Sequence, residues 1–396
     1  MKIVVTNSVS MNGGDAAILE GVGVILRRAL GDELDITVHD DHPVEADARL
    51  PFDVRPQLQS VAGRARSPWS LRRRLANEEQ RAVLDRYASA DLILSTGGTY
   101  LTDNYDVERR IREFELASAL RRPLILFTQS IGPLSRRSTR RALRRGLADA
   151  LLVLLRDERS RAELEGARVR GPHTALAADA AFALADPEVL AAAAEPRTPA
   201  ERPEVAVSVR AWSHFANGDG ELRLERYLEA IARLVTHLVE RRGARVTFIS
   251  TCQGEPSYPH DDSVVADAIA GRLPGTVLAG VRVDREPHQP RELIERLGAF
   301  DLVVATRMHA AILALAGGAP VLPIAYEPKM TDLAAQLALD GVLHDMAAIS
   351  PVALCASADL WLAEPGELRA SLFARVERQR RSALESGELV REALGR

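Results

Sequence analysis

The sequence predicts an α/β protein made of two doubly wound, Rossmann-like domains facing each other across a cleft. Three observations lead there. Short apolar runs alternate with amphipathic helical stretches, as in parallel strands joined by crossover helices. At 396 residues the chain exceeds what one hydrophobic core comfortably organises. The alternation also breaks once, at a proline- and alanine-rich stretch, and then resumes.

The first set of elements reads as strands at Ile3–Thr6, Ile36–His39, Leu92–Ser95, Leu124–Thr128 and Leu151–Leu155. Helices such as Ala16–Leu30 and Val107–Leu120 lie between them. After Phe182 the text changes: Ala183–Glu204 holds four prolines and an alanine run, the composition of an interdomain linker. A second set follows at Val205–Val209, Val246–Ser250, Val277–Leu278, Leu302–Ala305 and Val321–Ile324. Between its first two strands, Leu224, Leu228, Ile231, Val235 and Leu238 mark one apolar face of the helix Leu222–Arg241. The tail Leu360–Arg396 reads as one or two charged helices. The expected division is therefore residues 1–185, a linker at 186–203, residues 204–355, and C-terminal helices at 356–396 packing back on the first domain.

Composition narrows the function. Hydrophobic residues at 46% and charged residues at 27% describe an ordinary globular chain. A net charge of −4 argues against a nucleic-acid partner. Cys252 and Cys355 stand far apart in no metal or redox spacing, which fits a reducing compartment. The start reads as a strand entering a glycine turn rather than as a signal peptide. No apolar run approaches the roughly 20 residues that cross a bilayer. The expectation is a cytoplasmic protein with at most peripheral membrane contact.

Polar clusters follow the predicted strands, where doubly wound sheets bind ligands. Asn12-Gly13-Gly14-Asp15 opens a helix, and its glycines and free N–H groups suit a close anionic ligand. Asp15 alternatively just caps that helix. Gly97 through Asp103, with Gly98 and Tyr100, forms a crowded loop after a strand, and Gln129-Ser130-Ile131-Gly132-Pro133 repeats the arrangement. Arg156 ends a buried strand, so it either pairs with Asp157 or another acid or grips an anion. In the second half Arg210, Arg307 and His309 follow strands. His309 is the one evident proton donor, since an unperturbed histidine titrates near pH ~6.5. His173, His214, His260 and His288 read as structural or solvent-facing.

Lys329 stands out differently. The chain holds 51 lysines and arginines, yet only Lys2 and Lys329 are lysines. A compact ammonium and a planar guanidinium are not interchangeable, so a lysine kept beside an Arg-x-His suggests a need for that point charge. Arg136, Arg137, Arg140, Arg141, Arg144 and Arg145 form a basic stripe on one helix: a solvated face, or a landing strip for anionic lipid or a phosphorylated carrier. A second arginine-rich stretch, Arg64–Arg81, reads as a mobile lip over the cleft.

These residues together resemble the polysaccharide pyruvyl transferase family. The resemblance runs from about Met1 to Leu339. It rests on Gly13–Leu19, Gly97-Gly98 with Asp103, Gln129–Pro133, Arg156-Asp157 with Ser160, and Asp179 before Ala181-Phe182. It continues through Ser208-Val209-Arg210, Arg307-Met308-His309, Gly318-Ala319-Pro320, and Tyr326 with Lys329. It implies a fold like that of B-type glycosyltransferases, with no metal or other cofactor. It also implies phosphoenolpyruvate as co-substrate and a sugar or glycan acceptor, free or carrier-linked, with a pyruvate ketal as product. Arg156, Lys329, Arg210 and Arg307 then look like donor-binding residues and His309 like the general acid. Asp15 is a candidate base. Asn12, Gly14, Gly98, Tyr100, Asp103 and Gln129 look like the acceptor side. Two other classes stay in view: a metal-independent glycosyltransferase using a nucleotide sugar, and a non-enzymatic sugar-binding protein. A small natural-product sugar is an alternative acceptor.

Overall fold

The computed structural model describes residues 1–57, 78–210, 220–255, 258–363 and 366–395. His214 and most of Arg64–Arg81 lie outside the described residues. The chain divides into two compact units. Met1–Met11, Asp15–Ala183 and Gln379–Arg396 form the first, and Asn12–Gly14 with Leu184–Arg378 form the second.

The first unit carries an eight-stranded sheet. Its strands are β1 (Lys2–Ser8), β2 (Asp35–Asp40), β3 (Asp53–Pro56), β4 (Leu92–Ser95), β5 (Gly98–Leu101), β6 (Leu124–Ile131), β7 (Leu152–Leu155) and β8 (His173–Leu176). The order is β3-β2-β1-β4-β6-β7-β8, with β5 laid against β6. All pairings are parallel. The second unit carries β9 (Glu204–Ser208), β10 (Arg245–Phe248), β11 (Val281–Val283), β12 (Leu302–Ala305), β13 (Val321–Ala325) and β14 (His344–Asp345). These run β11-β10-β9-β12-β13-β14, also parallel. The α/β fold class read from the alternation is the one observed.

Helices cover both faces of such sheets, so central strands carry continuous apolar runs instead of alternation. Every residue of β4, β6, β7, β12 and β13 is buried. Edge strands lack that signal. β8 is largely exposed, and β11 has an exposed Arg282 between two half-buried valines. This explains one misplacement: Val277–Leu278 is not a strand but part of the short helix Gly275–Leu278, and the strand lies at Val281–Val283. Likewise the stretch expected to be a bare linker contains the helix Pro187–Ala194, which buries Leu190 and Ala193.

Both strand orders reverse direction at one place, between β1 and β4 in the first unit and between β9 and β12 in the second. Loops leaving the carboxyl ends of strands there diverge and leave a crevice for ligands. Two irregularities shape the first of these places. The pairing register shifts in β1 between Val5 and Ser8, and in β6 between Leu126 and Gln129. Asn7 (φ 62°) and Thr128 (φ 43°) sit in the left-handed region within those shifts. A β-branched residue there is strained, and such strain collects at functional sites.

The helix Gly366–Ala393 contributes to both units. In the second, the buried Arg369 donates from Nε to Ala193 O at 2.7 Å. In the first, Ser382 Oγ accepts from Ala178 N at 3.2 Å.

Candidate functional site

In the second unit, three loops leave β9, β12 and β13 and each delivers a cation. Arg210 follows β9, Arg307 follows β12, and Lys329 lies in the first turn of the helix Pro328–Leu337 after β13. Arg210 and Lys329 meet over one phenol. The Arg210 guanidinium carbon lies 4.4 Å from the Tyr326 ring centre and the Lys329 ammonium 5.6 Å. Both distances are within cation–π range. Arg210 also donates to Tyr326 Oη. Lys329 Nζ pairs with Glu327 at 2.9 Å, and both side chains are largely covered, at 18% and 19% exposed. Burial alone would push the lysine pKa down. The negative ends of Tyr326 and Glu327 outweigh it and hold the value above the ordinary one. Burial raises the Glu327 pKa, but Lys329 and then Arg210 pull it below the usual carboxylate range. Both groups are thus charged near neutrality, and the cluster carries two cations against one carboxylate.

Arg307 differs. Its guanidinium is buried and forked onto Asp262, with Nε to Oδ2 at 2.8 Å and Nη2 to Oδ1 at 2.7 Å. Asp262 Oδ2 also accepts from Ser250 Oγ at 2.5 Å. Such a fork fixes the plane of the arginine. Burial opposes the charge of Arg307, and Asp262 more than restores it.

His309 is the second residue of the helix Met308–Ala316 that begins where β12 ends. It is half-buried. Gly14 packs on its ring: a Cβ at position 14 would lie 2.6 Å from His309 Cγ, a distance no real contact tolerates. Gly13 N donates to Thr251 O at 2.8 Å, and a Cβ at 13 would meet that oxygen at 2.8 Å. The two glycines of the sequence motif are therefore explained by close approach. Asn12, not Asp15, caps the helix Gly13–Leu30, its Oδ1 accepting from Gly14 N at 2.9 Å. Asp15 lies in the first turn of that helix, half-buried.

In the first unit, Arg156 does pair with an acid, and the acid is Asp179. Both side chains are nearly fully buried, at 6% and 5% exposed. Arg156 also donates to Ser130 Oγ at 3.1 Å, Gly98 O at 3.3 Å and Thr99 Oγ1 at 3.4 Å. Its neighbour Asp157 caps the next helix through Ser160 N at 2.7 Å and accepts from Ser130 Oγ at 2.9 Å. Gln129 donates to Gly98 O at 2.8 Å. Gly98 sits at φ 153°, and Gly97 leaves room for Thr128, whose Oγ1 would lie 2.8 Å from a Cβ there.

Three of the anticipated acceptor-side groups are already engaged in holding loops. Tyr100 is buried, donates to Thr96 O at 2.7 Å and shares a bond with Ser95 Oγ at 2.5 Å. Burial raises its pKa above the usual phenol value. Asp103 accepts the backbone N–H groups of Ser135 and Arg136. Burial raises its pKa, and Thr139 and those N–H groups more than reverse the effect. Asn12 is the helix cap just described. Among the residues the sequence reading underused, Glu327 and Tyr326 are foremost. The signal for them was present, since Tyr326-Glu327-Pro328 sets two polar side chains at a strand end just before a Pro-led helix start.

Of the other histidines, His288 is buried between carboxylates, with Nε2 3.0 Å from Asp284 Oδ2 and Nδ1 3.0 Å from Glu292 Oε1. Among the described residues no group of three or more His, Cys, Asp or Glu side chains is arranged to hold a metal ion.

The family model for polysaccharide pyruvyl transferase matches residues 12–328. The amylovoran biosynthesis protein AmsJ of Erwinia amylovora is 25% identical over 302 residues, covering 75% of this chain and 71% of that protein. Among solved structures, HepE of Anabaena in complex with UDP-glucose superposes with a TM-score of 0.60 at 15% identity, over 100% of this chain and 99% of that one. The apo structure of OtsA gives 0.59 at 13% identity, over 100% and 99%. The spinosyn forosaminyltransferase SpnP gives 0.52 at 13%, over 100% of both chains. At such identities the likeness establishes the fold alone, which is that of the B-type glycosyltransferases.

Proposed function

This chain belongs to the polysaccharide pyruvyl transferase family, and on that premise we propose that it transfers pyruvate from phosphoenolpyruvate to two hydroxyls of one sugar, forming a ketal and releasing phosphate. The observation that carries this reading is the cation-rich cluster of Arg210, Tyr326, Glu327 and Lys329, with His309 in the first turn of the helix after β12 in the same unit. Phosphoenolpyruvate is a small anion with a carboxylate and a phosphate. Arginine grips either group as a fork, and a lysine ammonium serves as a point charge. The helices starting at Met308 and Pro328 add backbone N–H groups that favour anions.

The chemistry needs a proton first. His309, as imidazolium, protonates the methylene carbon, which makes the adjacent carbon electrophilic. A sugar hydroxyl adds there, the carbon–oxygen bond to phosphate breaks, and a second hydroxyl of the same sugar closes the ketal. The hydroxyl protons leave to a base, for which Asp15 is our candidate. Lys329 and Arg210 stabilise the departing phosphate. Arg307, fixed by Asp262, orients the loop that carries His309. Arg156 was expected on the donor side, but its charge is answered by Asp179, so we reassign it to the acceptor side, where it helps hold the Gly98 and Ser130 loops.

The nucleotide-sugar reading would need Glu327 for a ribose diol, and that carboxylate is already held by Lys329 at 2.9 Å. The experiment is to incubate the protein with phosphoenolpyruvate and a panel of sugars and glycans. Phosphate release with the mass gain of a pyruvate ketal is expected. Consumption of a nucleotide sugar with phosphoenolpyruvate untouched would overturn the proposal.

A further inference from the structure

We propose that the outer face of the helix Arg137–Gly146, in the first unit, docks the protein on an anionic lipid membrane surface. The inference needs no part of the pyruvyl-transfer reading. It begins with helical spacing. Thr139, Ala142, Leu143 and Gly146 are buried, Gly146 against Ile111 and Phe114 of the helix Val107–Ala119. Arg137, Arg141 and Arg144 recur at i, i+4 and i+7 on the opposite side and are exposed.

Arg145 is neutralised by Glu108 at 2.7 Å and by Glu115. Arg140 and Arg144 donate to backbone carbonyls instead, Leu134 O at 2.7 Å and Ala167 O at 3.3 Å, which cancel no charge. Among the described residues no carboxylate pairs with Arg137, Arg140, Arg141 or Arg144. This run of uncompensated cations stands on a chain whose net charge is −4.

The layout selects the partner. From Arg137 to Arg144 the strip runs about 10 Å along the helix at the usual rise per residue. Its arginines are spaced over successive turns along one exposed face, so they suit charge spread over a plane better than one phosphate group. The arginine fork matches lipid phosphodiesters. The helix carries no aromatic side chain on which a base would stack, unlike surfaces that bind single-stranded nucleic acid.

The test is co-sedimentation of the full chain with phosphatidylcholine vesicles made with and without phosphatidylglycerol. Binding to the anionic vesicles alone, weakened by salt, is expected. At roughly fivefold per cation, R137E/R141E/R144E should lower the partition coefficient by about a hundredfold. R137A/R141A, which removes no hydrogen bond, should lower it by about tenfold or more. R223E/R226E, on exposed arginines of the second unit, should leave it unchanged, and all variants should keep the wild-type circular dichroism. Equal binding of wild type and triple variant would overturn the proposal, as would indifference to phosphatidylglycerol. Binding to single-stranded RNA or inorganic pyrophosphate with no binding to anionic vesicles would overturn it as well.

Discussion

The two units share one strand order at their switch points, yet the charge balance there differs. In the second unit, Arg210 and Lys329 share a single carboxylate and a phenol, and positive charge remains. In the first, Arg156 is matched by Asp179, and its further partners include hydroxyls and carbonyls, so the charges of that buried cluster balance. The difference is local. β9 and β13 are followed by cations that, among the described residues, have Glu327 beside them, whereas β7 is followed by an arginine that pairs with an aspartate from just after β8. The lesson is that the topology supplies a crevice and the residues at strand ends decide its ligand. On our reading, the second unit takes the dianion and the first takes hydroxyls.

The largest expected effect breaks the second unit's chemistry alone. His309→Ala should lower turnover by about 10²–10⁴-fold, the usual contribution of a positioned acid, with the melting temperature little changed. Gly14→Ala should approach the same loss by displacing the ring, since a methyl there overlaps His309. Steady-state rates on purified variants check both.

Next is the contrast between a structural and a ligand-facing cation. Arg307→Ala leaves Asp262 buried without its partner, so it should cost about 3–5 kcal/mol in urea unfolding.

The histidines extend the comparison. Where the second unit presents His309, the first hides His39 completely, with Nδ1 2.7 Å from Pro56 O. Burial lowers its pKa from 6.5 to about 4. Between those values the unfolded chain binds the proton and the folded chain does not. Stability should therefore rise with pH across that window, by about 3 kcal/mol in total, and level off above it. His39→Gln should flatten the rise, measured as unfolding free energy at pH 5 and pH 7.

How much of this was legible in the sequence depends on range. Central strands announced themselves because burial on both faces demands unbroken apolar runs, as in Leu302–Ala305. β8 and β11 did not, because an edge strand needs few apolar residues. β5 read as a loop because Gly97-Gly98 signals a turn, and only the nearby β6 recruits Gly98–Leu101 into pairing. In the site, the cations were legible as charges stranded at the ends of apolar runs. Their partners were not. Asp262 lies 45 residues before Arg307 and Asp179 lies 23 after Arg156, and no local pattern links such pairs. The pairing decides which cation already has a buried carboxylate and which does not, and that is a property of the fold.

The central claim is that Lys329 and its neighbours in the second unit hold the phosphoenolpyruvate. Titrating phosphoenolpyruvate into wild type, Lys329→Ala and Lys329→Arg by calorimetry tests it directly. Binding to wild type is expected, with affinity lower by about tenfold or more in Lys329→Ala and little rescue by arginine, whose fork does not replace the ammonium. Wild-type affinity in Lys329→Ala would contradict it.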